Sequence, residues 1–189
     1  AIQEGRHAAR NIARAVREQL PSGGLFAGMD WRVSPSPFPL GESLAKEFDA
    51  LGRVLLQFYR AVNLLYRKSV EGKQPAWAAE WLDRGKPREL VELQRSPAFK
   101  PDVPRVIRPD ILLTEDGFRI TELDSVPGGI GLTAWLSQTY SKPEIRSPKS
   151  EVLGGERGML DGFASIFGDA PRVRIVVSEE AATYGPETE

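Results

Sequence analysis

Hydrophobic positions in the first hundred residues recur at helical spacing. Ile2, Ala9, Ile12, Ala13, Val16 and Leu20 form one apolar stripe between Arg and Glu residues, which predicts an amphipathic helix over residues 2–20. Pro21 and the Ser22-Gly23-Gly24 run end it. The proline-dense Ser34-Pro35-Ser36-Pro37 segment suits neither a helix nor a central strand. Leu44, Phe48, Leu51, Leu55, Val62 and Leu65 resume the rhythm, with Ser43 beside Glu42 as the expected cap and an end near Val70. Shorter helices are expected around Trp77, Trp81 and Leu82, and over residues 89–94, their aromatic and leucine stripes serving as core packing.

The pattern changes near Pro101. Residues 103–114 and 118–123 read as two strands around Glu115-Asp116-Gly117. The glycine-rich loop Pro127-Gly128-Gly129-Ile130-Gly131 leads into a helix over residues 133–140. A helix over 152–167 then feeds a β-branched strand, Val173-Arg174-Ile175-Val176-Val177. The expectation is an α+β protein, a mostly helical region over 1–100 followed by a mixed α/β region over 101–189. A chain that opens without Met and ends soon after a strand of buried character is expected to be part of a longer one.

Composition narrows the chemistry. The 189 residues are 41% hydrophobic and 27% charged with a net charge of −1, an ordinary globular balance without the basic footprint of a nucleic-acid or anionic-membrane binder. No apolar run reaches membrane-spanning length and no secretory signal opens the chain, so a cytoplasmic protein is expected. With no Cys and His7 alone, any metal must be a hard ion on carboxylate oxygens, which points to Mg²⁺. His7 and the helically spaced Arg6, Arg10, Arg14 and Arg17 read as a solvated face. Tyr140 and Tyr184 read as packing or hydrogen-bonding residues.

The stretch that carries chemistry runs Arg108-Pro109-Asp110, then Glu122-Leu123-Asp124-Ser125-Val126-Pro127-Gly128-Gly129. Glu122 and Asp124, two apart on a strand, share a face. A two-residue loop at Asp116-Gly117 would put Asp110 opposite Leu123. A three-residue loop over Glu115-Asp116-Gly117, with Gly117 left-handed, puts Asp110 opposite Glu122 and Arg108 opposite Asp124, and is the register expected. It also places Leu112, Phe118 and Ile120 beneath the charges as an apolar floor. Three carboxylates on one face call for a positive partner. Arg108 supplies one and a divalent ion would supply another, although a surface salt-bridge cluster explains the same residues.

This set resembles the signature of glutathionylspermidine synthases and their relatives with a circularly permuted ATP-grasp arrangement. The resemblance covers roughly residues 100–189 and implies an ATP-grasp-like, glutathione synthetase-like fold. The activity implied is ATP-dependent joining of a small-molecule or peptide carboxylate to an amine through an acyl phosphate. Asp110, Glu122 and Asp124 would match the Mg²⁺ ligands, and Arg108 the arginine that stabilises the transferring phosphoryl group. Ser125, Gly128 and Gly129 would lie with Arg108 against ATP. Residues 173–177, followed by Pro186-Glu187, look like the start of the family's pre-ATP-grasp unit. Asp124 stands where the family usually has Asn, which adds a negative charge. The ATP-binding lysines would lie beyond Glu189, so this segment alone is expected to be inactive.

Two other readings compete. Gly129-Ile130-Gly131-Leu132-Thr133-Ala134 satisfies the G-x-G-x-x-A pattern of dinucleotide-binding oxidoreductases, which requires a parallel βαβ unit around it. Alternatively, the long helix to Val70 is the surface of a non-catalytic helical interaction module.

Overall fold

The computed structural model describes residues 2–20, 32–125, 128–145, 151–182, 184 and 185. The Pro21–Gly24 break, Val126, Pro127 and the Pro186-Glu187 pair lie outside the described residues. Among those described, the chain is α+β. Helices α1 (Ile2–Glu18), α2 (Glu42–Val70), α3 (Trp77–Asp83) and α4 (Arg88–Arg95) precede the strands β1 (Arg108–Thr114) and β2 (Gly117–Asp124). Helices α5 (Ile130–Ser141) and α6 (Gly158–Ser165) follow them. None of these helices is long and apolar enough to cross a membrane.

Two compact units are formed, Lys46–Ser125 and the two flanking stretches Ala1–Ala45 with Val126–Glu189. The change of sequence character near residue 100 therefore falls inside a unit, because the hairpin packs on the helix that precedes it. Phe118 of β2 meets Phe48 of α2 edge-to-face at 5.2 Å between ring centroids.

In the Lys46–Ser125 unit, α2 is the spine. It starts one residue before the expected Ser43 cap, with Gly41 accepting the first helical bond from Ala45 N–H. Gly72, at φ 72°, ends it, and the bonds Lys73 N–H to Lys68 O and Gly72 N–H to Ser69 O satisfy its last carbonyls. Ser69 is buried, donating to Pro75 O at 2.6 Å and accepting from Ala79 N–H at 3.1 Å, which staples α3 to the end of α2. Fully apolar burial is sparse here, confined to Leu55, Ala78 and Ala79 with the ring of Tyr66. The Trp stripe expected to fill this core does not do so, since Trp77 and Trp81 are 59% and 65% exposed and Arg84 stacks over Trp81. Seven-residue α3 turns its alanines inward, with Ala78 and Ala79 buried.

Polar bonds complete the packing. Tyr66 donates to Asp83 Oδ1 at 2.7 Å and accepts from Gln94 Nε2 at 2.7 Å, while Arg95 pairs with Asp83. Arg67 donates through Nη2 to Phe99 O and Gln94 O, and Asn63 donates to Lys100 O. Strand β1 begins at Arg108 rather than at residue 103, because Pro104 interrupts the preceding run.

In the other unit, Val16 of α1 and Ala134, Thr139 and Ile145 in and after α5 are buried. Lys142 bonds Gln19 Oε1, and Tyr140 donates to Ser34 O at 2.9 Å, so α5 is tied to both the end of α1 and the proline-rich segment. The helix expected over 152–167 is cut to α6. Gly154 and Gly155 adopt φ of 80° and 77°, a left-handed turn incompatible with continuous helix. Residues 173–177 are not in a strand. Among the described residues no strand pairs with them, and Val176 is 91% exposed, so β propensity here finds no ladder to join.

The hairpin turn carries its own titration. Thr114 Oγ1 donates to Asp116 at 2.9 Å and Arg119 pairs with the same carboxylate at 3.0 Å, holding Asp116 below the ordinary carboxylate range. A lowered folded value means this contribution is present above the unfolded Asp pKa and disappears as pH falls through the folded one. Thr114→Ala removes the first of these bonds. The side-chain carbon resonance of Asp116, followed by NMR against pH, should then titrate closer to the unperturbed Asp value.

Candidate functional site

The four charged residues at the open end of the hairpin are brought together by a bulge. Glu115 and Asp116 form a two-residue turn, and both keep negative φ while Gly117 takes φ 130°. From the turn outward the pairs are Thr114↔Gly117, Leu113↔Phe118, Leu112↔Arg119 and Ile111↔Ile120. The register then shifts between Ile111 and Asp110, leaving Thr121 as the extra residue, its hydroxyl donating to Asp110 O at 3.2 Å. Beyond the shift, Asp110 faces Glu122 and Arg108 faces Asp124. The pairing expected at the mouth is present, produced by a bulge at Thr121 instead of a three-residue turn.

The bulge also corrects the floor beneath the charges. Phe118 and Ile120 share the opposite face with Leu113, Ile111, Leu123 and Pro109, the face that meets Phe48. Leu112 alone of the expected floor lies on the charged face, beside Arg119 and 60% exposed. Apart from Leu112, apolar and charged residues thus occupy separate sides of the two-stranded ladder, with the bulge reversing the phase of β2 between them.

Arg108 sits between two carboxylates. Its Nη2 lies 3.1 Å from Asp124 Oδ2 and its Nε 3.6 Å from Asp110 Oδ1. Arg108 and Asp110 are about half exposed, and Asp124 less so. Exposed pairs of this kind contribute at most about 1 kcal/mol each. Glu122 occupies the same face opposite Asp110. Among the described residues no group of three or more acids or histidines is disposed to hold a metal, so Asp110, Glu122 and Asp124 do not assemble as the expected three-acid set. The physical reason is Arg108, whose guanidinium holds Asp124 and Asp110. Asp110 and Glu122 remain directly opposite one another across the two strands.

Ser125, at the end of β2, shares a 2.6 Å hydrogen bond with Tyr59 of α2. Tyr59 has no signal in the sequence beyond its place in a helical stripe, yet it anchors the strand end next to Asp124. Gly128 and Gly129 belong to the other unit. Gly129 precedes α5 with φ 81°, and Thr133 Oγ1 donates back to its carbonyl at 2.8 Å. The fingerprint Gly129-Ile130-Gly131 lacks its required setting, because the sheet among the described residues is two antiparallel strands and contains no parallel βαβ unit.

No family model matches this chain, and neither a curated protein nor a solved structure does so.

Gly128 is held glycine-small by an aromatic ring. A Cβ placed there would lie 2.8 Å from Cε1 and 2.9 Å from Cδ1 of Tyr184, inside van der Waals contact. Gly128→Ala should therefore destabilise the protein by about 1 kcal/mol, the low end of overpacking costs because Tyr184 is partly exposed and can yield. Chemical denaturation of Gly128→Ala, Tyr184→Ala and the double variant checks this. Truncating Tyr184 should erase the penalty of the alanine.

Proposed function

We propose that the charged mouth of the hairpin is part of an ATP-dependent carboxylate–amine ligase site, similar to that of glutathionylspermidine synthases. The observation that supports it is the register of the ladder, which sets Arg108 against Asp124 and Asp110 against Glu122 on one face. Activating a carboxylate with ATP requires charge neutralisation and positioning at the transferring phosphoryl group. Arg108 offers a planar fork for two phosphoryl oxygens, and Asp124, with Asp110, sets the plane of that fork. Asp110 and Glu122 would hold Mg²⁺, which neutralises phosphate charge when bound. Ser125, fixed by Tyr59, follows Asp124 at the end of the ladder. Carboxylate and amine substrates, ATP as co-substrate and a cytoplasmic setting belong to the same reading, in an ATP-grasp-like fold.

A second reading draws on exposure. Val54, Phe58 and Leu64 on α2, with Trp77 and Trp81 on α3, are large apolar side chains left on the surface. Such a surface suits a helical interaction module. A metal-dependent nucleotide-binding signal separates the two, since the module predicts none.

Arg108→Lys distinguishes catalysis from simple ion pairing. Lysine keeps the charge and can still serve Asp124, but it loses the fork. In the native full-length protein, steady-state ATP turnover should fall by about two to three orders of magnitude in kcat, the scale of one lost transition-state donor. The melting temperature and the apparent ATP affinity should move little, because the half-exposed ion pairs add little stability. A kcat near the unmodified value would remove Arg108 from catalysis.

A further inference from the structure

We propose that the cavity between α2, α4 and residues 97–104 binds a small amphiphilic anion, an aromatic or branched apolar body carrying one carboxylate. The cavity is open to solvent and measures about 490 Å³, within the roughly 300–1,000 Å³ typical of small-molecule sites. Its walls are apolar, with Val62 on α2, Leu90 and Leu93 on α4, and Phe99 and Val103 on the segment that follows. These walls are braced from behind. Arg67 holds the carbonyls of Gln94 and Phe99, and Asn63 holds those of Lys100 and Asp102, so the space is framed by hydrogen bonds rather than left to collapse.

The sign of the ligand follows from the charges that line it. Arg67 and Lys86 both border the cavity, against the single acid Asp102. Among the described residues neither cation is paired with a carboxylate. Arg67 donates through Nε and Nη2 to the amide oxygen of Asn63 and to backbone carbonyls. Lys86 donates to Gln94 Oε1 at 3.1 Å, and an ammonium carries three donors. An entering carboxylate would meet Lys86 at the rim while its apolar body covers Leu90 and Leu93, both half exposed at present. A cationic ligand would meet a net positive lining. The site needs neither ATP nor turnover, so it stands independently of the role proposed for the hairpin.

Phenylbutyrate, its primary amide and phenylbutylamine share one body and differ only in the charged end. Titrated into the protein by amide-resolved NMR, phenylbutyrate should give saturable shifts confined to residues 62–67 and 86–104. It should bind about tenfold more tightly than the amide or the amine, the worth of one hydrogen bond to a charged group. Lys86→Glu, at an exposed rim position, should abolish that preference and favour the amine. Val62→Phe fills one wall and should remove saturable binding of all three. Trp81→Ala, which deletes an exposed ring outside the cavity, should leave the affinity unchanged. An amine bound as tightly as the carboxylate would overturn the proposal. So would shifts that spread over the exposed apolar surface without saturating, or an affinity indifferent to Lys86→Glu.

Discussion

The Lys46–Ser125 unit depends on what one turn of α2 does with its polar side chains. Asn63, Tyr66 and Arg67 occupy successive positions on one side of the helix, and each reaches a different part of the chain. Tyr66 gathers Asp83 from the end of α3 and Gln94 from α4 around one hydroxyl. Arg67 and Asn63 hold the carbonyls of the segment leading to β1. With so few apolar side chains fully buried, burial alone leaves the orientation of α3 and α4 weakly specified. Directional bonds supply what shape does not. The Tyr66 hydroxyl also accepts from Arg95 Nε at 3.2 Å, and a hydroxyl with three partners is costly to disrupt, because losing any one leaves desolvated polar atoms behind.

The same helix sets the hairpin. Phe48 receives Phe118, and Tyr59 receives Ser125, so α2 touches β2 near its start and just past its end. Between those contacts β2 must present apolar residues to α2 near the turn and carboxylates away from it at the mouth. Strict alternation with Glu115-Asp116 as the turn would place Glu122 opposite Pro109, on the apolar side. One extra residue at Thr121 reverses the phase and resolves the conflict. The bulge is therefore the device by which a packed hairpin gains a charged face.

Much of this was legible in the sequence, for uneven reasons. Helices α1 and α2 announce themselves by a long 3.6-residue rhythm, and two strands around an Asp-Gly turn were readable from β propensity. The mouth pairing was legible because Arg108, Asp110, Glu122 and Asp124 suggest complementary opposition. Its cause was not, since no residue type marks Thr121 as a bulge and the turn length was read one residue too long. That error moved Phe118 and Ile120 to the wrong face. Trp77 and Trp81 were misread because periodicity reports a stripe, not what lies opposite it. Residues 173–177 were misread as a strand for a related reason, as a β-branched run needs a partner and the described residues offer none. Tyr59 was invisible, because a tyrosine that caps a strand end looks in sequence like any helical aromatic.

The mouth of the hairpin sets acids against one another as well as against an arginine. One guanidinium faces three carboxylates at the mouth of a two-stranded ladder. Each ion pair is half exposed and contributes little, whereas like charges directly opposite one another destabilise a ladder. Asp110 and Glu122 are such a pair, and on stability grounds Glu122 would be better replaced by Thr or Lys. Something positive between Asp110 and Glu122 would relieve that repulsion. Divalent metal carried in with a polyphosphate would do so, while giving Arg108 a stronger anion than the carboxylates that hold it. The like-charge pair and the ligand chemistry proposed for it are then two sides of one electrostatic arrangement.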